Sequence, residues 1–125
     1  MTHRLAVRVY YEDTDMGGIV YYANYFKYIE RARSEMVEDL GMNQRDMRDR
    51  GIVFVVTRVV ADYLAPARLD DRLTVKTEHR AQSPVRWVFD QEVWRGDEVL
   101  FRAEVTAVCM TLDGKPTRLP SELRG

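Results

Sequence analysis

The chain of 125 residues has one cysteine, Cys109, so it can form no internal disulfide and no cysteine-rich zinc site. Its two histidines, His3 and His79, lie too far apart for a His-x-x-x-His pattern, and no metal site is expected. Long hydrophobic runs are missing as well. The longest are about five residues, such as 52–56, against roughly 20 for a bilayer-spanning helix. No transmembrane segment is expected. The opening Met1–Arg8 stretch lacks the apolar core of a secretory leader, which makes the cytoplasm the expected location. Nor does either sign of charge dominate. Nineteen Lys and Arg against 20 Asp and Glu leave a formal −1, unlike the basic face of a nucleic-acid binder.

What is present reads as an ordinary globular chain, 46% hydrophobic and 31% charged. Its length suits a single domain over 1–125 that buries its core without covalent staples. Residues 4–12 alternate, with Leu5, Val7, Val9 and Tyr11 on one side, and read as a strand. Asp13-Thr14-Asp15-Met16-Gly17-Gly18 breaks that pattern with loop chemistry. A helix is expected from Tyr22 or Asn24 to Leu40, its apolar stripe formed by Phe26, Ile29, Ala32 or Arg33, Met36 and Leu40. Gly41 stands at its C-cap. A short helix over Gln44–Arg50 follows, with Asn43 as N-cap and Gly51 beyond its end.

From Ile52 the period becomes two. Strands are expected over Ile52–Leu64, Leu73–Arg80, Val85–Arg95 and Glu98–Thr111, the last three joined by tight turns into an antiparallel meander. One strand, one long helix and a four-strand meander make an α+β protein, with a curved antiparallel sheet wrapped around the helix.

The densest chemical signal is Tyr11-Glu12-Asp13-Thr14-Asp15-Met16-Gly17-Gly18-Ile19-Val20-Tyr21-Tyr22-Ala23-Asn24-Tyr25. Carboxylates, paired glycines and tyrosines crowd a strand-to-helix junction, where free N–H groups and the positive end of the helix dipole stabilise developing negative charge. Gly17 and Gly18 allow close approach of the backbone to a ligand. A carboxylate beside such a pocket can serve as nucleophile or general base. On loop chemistry alone, Asp13 and Asp15 read first as a solvated turn whose side chains bond their own backbone.

This run resembles the hotdog-fold acyl-CoA thioesterases of the 4-hydroxybenzoyl-CoA thioesterase branch, and most closely the bacterial Tol-Pal-associated acyl-CoA thioesterases. Glu30-Arg31-Ala32-Arg33-Ser34-Glu35-Met36 and Tyr63-Leu64-Ala65-Pro66-Ala67-Arg68-Leu69-Asp70-Asp71 carry the likeness further, over roughly residues 6–120. The resemblance implies a hotdog fold with a five-stranded sheet and hydrolysis of an acyl-CoA to free acid and CoA, with no cofactor. It assigns catalysis to Asp15, to the backbone N–H of Tyr22 and to Gly18. Gly17 and Ile19 then fall against the substrate. It also implies a homo-oligomer, dimer or tetramer, with sites at the subunit boundary, and leaves an acyl carrier protein as a further candidate partner. One departure concerns Tyr22, where Tol-Pal-associated members often carry histidine and the 4-hydroxybenzoyl-CoA branch carries tyrosine. The rival reading is a non-catalytic acyl-CoA or acyl-carrier binding module, for which Asp15 would have no use.

Arg80 and Arg86 flank the Ala81–Pro84 turn. They fit either an ordinary hairpin or a clamp for the phosphates of CoA, since family members bind the nucleotide near this hairpin. Tyr25 and Tyr28 read as core or interface aromatics, and Cys109 as a buried small hydrophobe rather than a nucleophile.

Overall fold

The computed structural model describes residues 2–123, so Met1, Arg124 and Gly125 of the expected domain lie outside the described residues. Strand β1 (His3–Arg8) leads through a 3₁₀ turn (Tyr11–Asp13) to helix α1 (Asn24–Asp39) and the short α2 (Gln44–Asp49). Four strands follow: β2 (Ile52–Tyr63), β3 (Arg72–Ala81), β4 (Arg86–Arg95) and β5 (Glu98–Thr111). They form one five-stranded sheet in the order β1-β3-β4-β5-β2, every neighbouring pair antiparallel.

The α+β class, the long helix and the antiparallel sheet agree with the sequence reading, and β3-β4-β5 is the expected meander. The four-strand meander is not. β2 pairs with β5 instead of β3, so the chain crosses the sheet between β2 and β3. The connection 64–71 that makes this crossing is too long and irregular for a tight turn, and it becomes the platform of the site described below.

The first strand also ends sooner than its alternation suggests. The Asp13 carboxylate accepts the Tyr10 N–H at 2.9 Å, and the Asp13 N–H donates to the Tyr10 carbonyl at 3.0 Å. These bonds curl the backbone into the 3₁₀ turn and leave Tyr11 81% exposed, not facing inward with Leu5, Val7 and the buried Val9.

Helix α1 buries Tyr25, Tyr28, Ile29, Ala32, Met36 and Val37 against the sheet. The stripe is thus rotated from the expected one, with Phe26 and Leu40 left exposed. Tyrosines that count as polar in a simple pattern face inward, as their reading as core aromatics anticipates. Tyr25 stacks on Phe101 of β5, with centroids 4.8 Å apart and planes at 15°. The helix is tied to the sheet by a buried amide as well. Gln91 donates through Nε2 to the Ile29 carbonyl and to Thr77 Oγ1, and accepts from Arg33 Nη1 at 3.0 Å. Arg33 is therefore half-buried beside the stripe while Ala32 occupies it.

Caps behave as expected. Gly41 and Gly51 adopt φ of 84° and 82°, and Asn43 accepts the Arg45 and Asp46 N–H groups. Cys109 is fully buried, and burial pushes its thiol up. Trp87 Nε1 donates to Nδ1 of His79, so that ring is neutral with its proton on Nε2; burial holds its pKa down.

The connection 64–71 is pinned at its end by Asp71, which accepts from Arg95 Nη1 at 2.8 Å and from the Arg68 N–H. Burial opposes ionisation of Asp71, but these bonds outweigh it and hold the carboxyl below the usual range. A depressed native pKa stabilises the fold above the unfolded value near 4 and is lost as pH falls through the native one. Asp71→Asn should therefore cost about 1–2 kcal/mol at neutral pH. In urea titrations the gap between variant and parent should close below about pH 3; a gap independent of pH would contradict this account of Asp71.

Candidate active site

The site is built where two irregular segments are laced together. Residues 14–20 form a tight hairpin, with Thr14 bridged to Val20 and the Asp15 N–H donating to the Ile19 carbonyl at 2.9 Å. The hairpin lies on the crossover connection. Ile19 bridges Arg68, Val20 N–H donates to Ala67 C=O, and Leu69 N–H donates to Gly18 C=O. The buried Tyr25 hydroxyl accepts the Ala67 N–H at 3.0 Å, locking the platform to the helix.

Each glycine also has a local structural reason in the hairpin. Gly18 has a φ of 76°, the left-handed turn residue of the hairpin. At Gly17 a Cβ would stand 3.2 Å from Asp15 Oδ1, because the Gly17 N–H donates to that oxygen at 2.8 Å. The room left by the absent side chain is taken by the carboxylate of Asp15 itself. That bond orients the exposed Asp15 carboxyl and leaves Oδ2 without a partner among the described residues. Asp15 sits in a shallow depression with Tyr11, Glu12, Thr14 and Met16.

Across the hairpin lies a second depression, an apolar cleft of about 320 Å³ lined by Ile19, Val20, Tyr22, Tyr25, Tyr63, Leu64, Ala65 and Pro66. Its edge is the turn that enters α1. The Asn24 N–H donates to the Tyr21 carbonyl at 2.8 Å, closing a four-residue turn whose central residues are Tyr22 and Ala23. Neither central N–H meets a backbone acceptor among the described residues. The helix N-cap is Ala23, which has no capping side chain; in the first turn the Asn24 N–H meets the Tyr21 carbonyl and the Phe26 N–H the Ala23 carbonyl.

Asp13 connects the two depressions. Its main-chain carbonyl accepts both the Tyr21 N–H and the Asn24 side-chain amide, each at 2.9 Å. Nearby, the phenol of the buried Tyr28 makes no hydrogen bond of regular geometry. Burial first, then the charge of Asp13, push it well above its ordinary range.

The sequence-predicted residues thus divide. Asp15 lines the shallow depression, Ile19 and Tyr22 line the apolar cleft, and Gly17 and Gly18 stand in the hairpin between Asp15 and Ile19. Arg80 and Arg86 line neither depression. They stand on the sheet face turned away from α1, where Arg80 is engaged by the Asp90 and Glu104 carboxylates. Two residues were missed as parts of the site, Asn24 and Tyr63. The Tyr63 hydroxyl donates to the Tyr22 carbonyl at 2.9 Å. The sequence held one signal for Asn24, an asparagine at a helix start that follows alanine and so caps nothing. Both residues also stand in the runs that carry the family likeness, Asn24 in Tyr11–Tyr25 and Tyr63 at the head of Tyr63–Asp71, but neither run tells what the side chain bonds.

A family model described as the thioesterase-like superfamily matches residues 9–125. The chain is 42% identical to the acyl-CoA thioester hydrolase YbgC of Escherichia coli O6:H1 over 122 residues, covering 96% of this chain and 91% of that one. A probable thioesterase from Bartonella henselae superposes with a TM-score of 0.90 at 34% identity, over 96% of this chain and 100% of the other. A 1,4-dihydroxy-2-naphthoyl-CoA thioesterase from Synechocystis gives 0.92 at 25% identity, over 99% and 93%. With its helix, sheet order and helix-entrance hairpin in place, the chain belongs to the thioesterase-like superfamily, the hotdog-fold thioesterases.

Proposed function

We propose that this acyl-CoA thioester hydrolase works through Asp15 and the backbone N–H of Tyr22, releasing a carboxylic acid and CoA. Two observations support the assignment: an outward-facing Asp15 carboxylate anchored on the hairpin, and, at the edge of the apolar cleft, a Tyr22 N–H with no backbone acceptor among the described residues. The acyl group occupies the cleft between Tyr22, Tyr25 and Tyr63. Its thioester carbonyl points at the Tyr22 N–H, which gains most when the oxygen becomes an oxyanion. Asp15, held through Oδ1, uses Oδ2 either to attack the carbonyl carbon or to take a proton from the attacking water. The Tyr22 side chain lines the cleft but does not supply the donor.

The site lies open on this chain, and β2 ends the sheet with an unpaired edge on which Val55, Val56, Val59 and Val60 are exposed. A long apolar edge of this kind calls for a partner strand. A second copy paired along β2 covers it and narrows the site, giving a dimer or, by further pairing, a tetramer. The CoA nucleotide is assigned to Arg86 and Arg80, with Arg86 the principal contact because Arg80 is already neutralised by Asp90 and Glu104.

Asp15→Asn should lower kcat by roughly a hundredfold or more with acyl-CoA binding retained, whereas Tyr22→Phe should keep most activity. Release of free thiol from short-chain and aromatic acyl-CoAs measures both. Parent-like turnover by Asp15→Asn, or a hundredfold loss in folded Tyr22→Phe, would refute the assignment. Light scattering at micromolar concentration should return a dimer or larger, and a monomer would contradict the β2 pairing. Arg86→Ala should raise KM for acyl-CoA with little change in kcat, an effect that vanishes for acyl-pantetheine substrates lacking the nucleotide. Equal losses on both substrates would remove Arg86 from the nucleotide site.

A further inference from the structure

The turn Tyr21–Asn24 has no capping side chain at Ala23, and its two central N–H groups meet no backbone acceptor among the described residues. A turn closed by a single backbone bond at a helix start frays readily, so a donor that must meet an oxyanion within a few tenths of an ångström needs fixing from outside. Two side chains supply that from opposite directions. On one side Asn24 Nδ2 donates to the Asp13 carbonyl at 2.9 Å, two residues before Asp15. On the other, the Tyr63 hydroxyl, at the end of β2, donates to the Tyr22 carbonyl at 2.9 Å. Desolvation, then its tyrosine neighbours, keep the Tyr63 phenol above its ordinary range, so it is a donor at neutral pH.

We propose that Asn24 and Tyr63 are positioning residues of the reaction, which together fix the Tyr22 N–H relative to the Asp15 carboxylate. This rests on the assignment of Tyr22 as the oxyanion donor. Asn24 sets the separation of the two groups, because Asp13 O also accepts the Tyr21 N–H and moves with the Asp15 hairpin. Tyr63 sets the tilt of the turn. Its ring is held independently of its hydroxyl, edge-on to Tyr25 at 5.5 Å and to Phe101 at 5.0 Å, so loss of the hydroxyl leaves the cleft wall standing. Neither residue touches the reacting atoms; each acts through the peptide it holds.

Tyr63→Phe and Asn24→Leu each test the pair, with Asn24→Asp as the isostere that removes the donor. Each should lower kcat about tenfold, and the double variant up to a hundredfold, while KM stays within about threefold and the melting temperature stays near the parent's. Asn24→His, whose Nδ1 stands where the amide nitrogen does, should recover most of the loss. A second readout follows the donor directly. In the Asp15→Asn protein, a bound acyl-CoA with a ¹³C-labelled thioester carbonyl should show a lowered carbonyl stretch, and adding Tyr63→Phe or Asn24→Leu should move it back toward the solution value. Parent-like kcat with an unmoved stretch would overturn the proposal, as would kcat losses that track falls in melting temperature. If Asp15→Asn alone shows no stretch shift on binding, the Tyr22 assignment fails and this inference with it. A shift that survives both substitutions overturns the positioning role alone.

Discussion

One carbonyl oxygen organises the site. Asp13 O accepts from the Tyr21 N–H and from Asn24 Nδ2, so the hairpin that carries Asp15 and the turn that carries Tyr22 share an anchor. Each bond is worth about 1 kcal/mol net, a small part of the fold's stability but enough to set a distance. The Asp13 carboxylate does a separate job. By holding the Tyr10 N–H it ends β1 early and turns the chain toward the helix.

The rest of the molecule supports this anchor from below. The crossover from β2 to β3 lies under the hairpin because β2 is placed on the far side of β5. Two backbone hydrogen bonds flanking the Ile19–Arg68 bridge and the Tyr25 hydroxyl fasten that platform, and the Asp71–Arg95 pair closes its end. Tyr25 acts twice, as a stacked core aromatic on Phe101 and as the acceptor for the Ala67 N–H. A phenylalanine there would keep the packing and leave a buried N–H unsatisfied.

Much of this was legible in the sequence. Period-two alternation located the strands, and caps at Gly41, Asn43 and Gly51 bounded the helices, because these signals are local and depend on backbone geometry alone. Strand order was not local. Ile52–Tyr63 reads the same whether it pairs with β3 or β5, and only the length of 64–71 hinted at a crossing. The stripe of α1 was misplaced by treating Phe26 and Leu40 as core, when the inward positions are held by Tyr25, Tyr28 and Val37. Asp15, Gly17 and Gly18 were visible as loop chemistry and sharpened by the family likeness. Their physical roles came only with coordinates, which show Gly17 yielding its space to Asp15. Asn24 and Tyr63 act through bonds spanning 11 and 41 residues, and no spacing rule reaches that far.

The central claim is geometric, that an acyl-CoA places its thioester between the Asp15 carboxylate and the Tyr22 N–H. The most direct measurement is a crystal structure of the Asp15→Asn protein with an unhydrolysed acyl-CoA bound. The account predicts the carbonyl oxygen about 2.7–3.1 Å from Tyr22 N, the acyl group in the cleft beside Tyr25 and Tyr63, and residue 15 within reach of the carbonyl carbon. A thioester bound elsewhere, or a carbonyl held by a side chain while the Tyr22 N–H faces solvent, would contradict it.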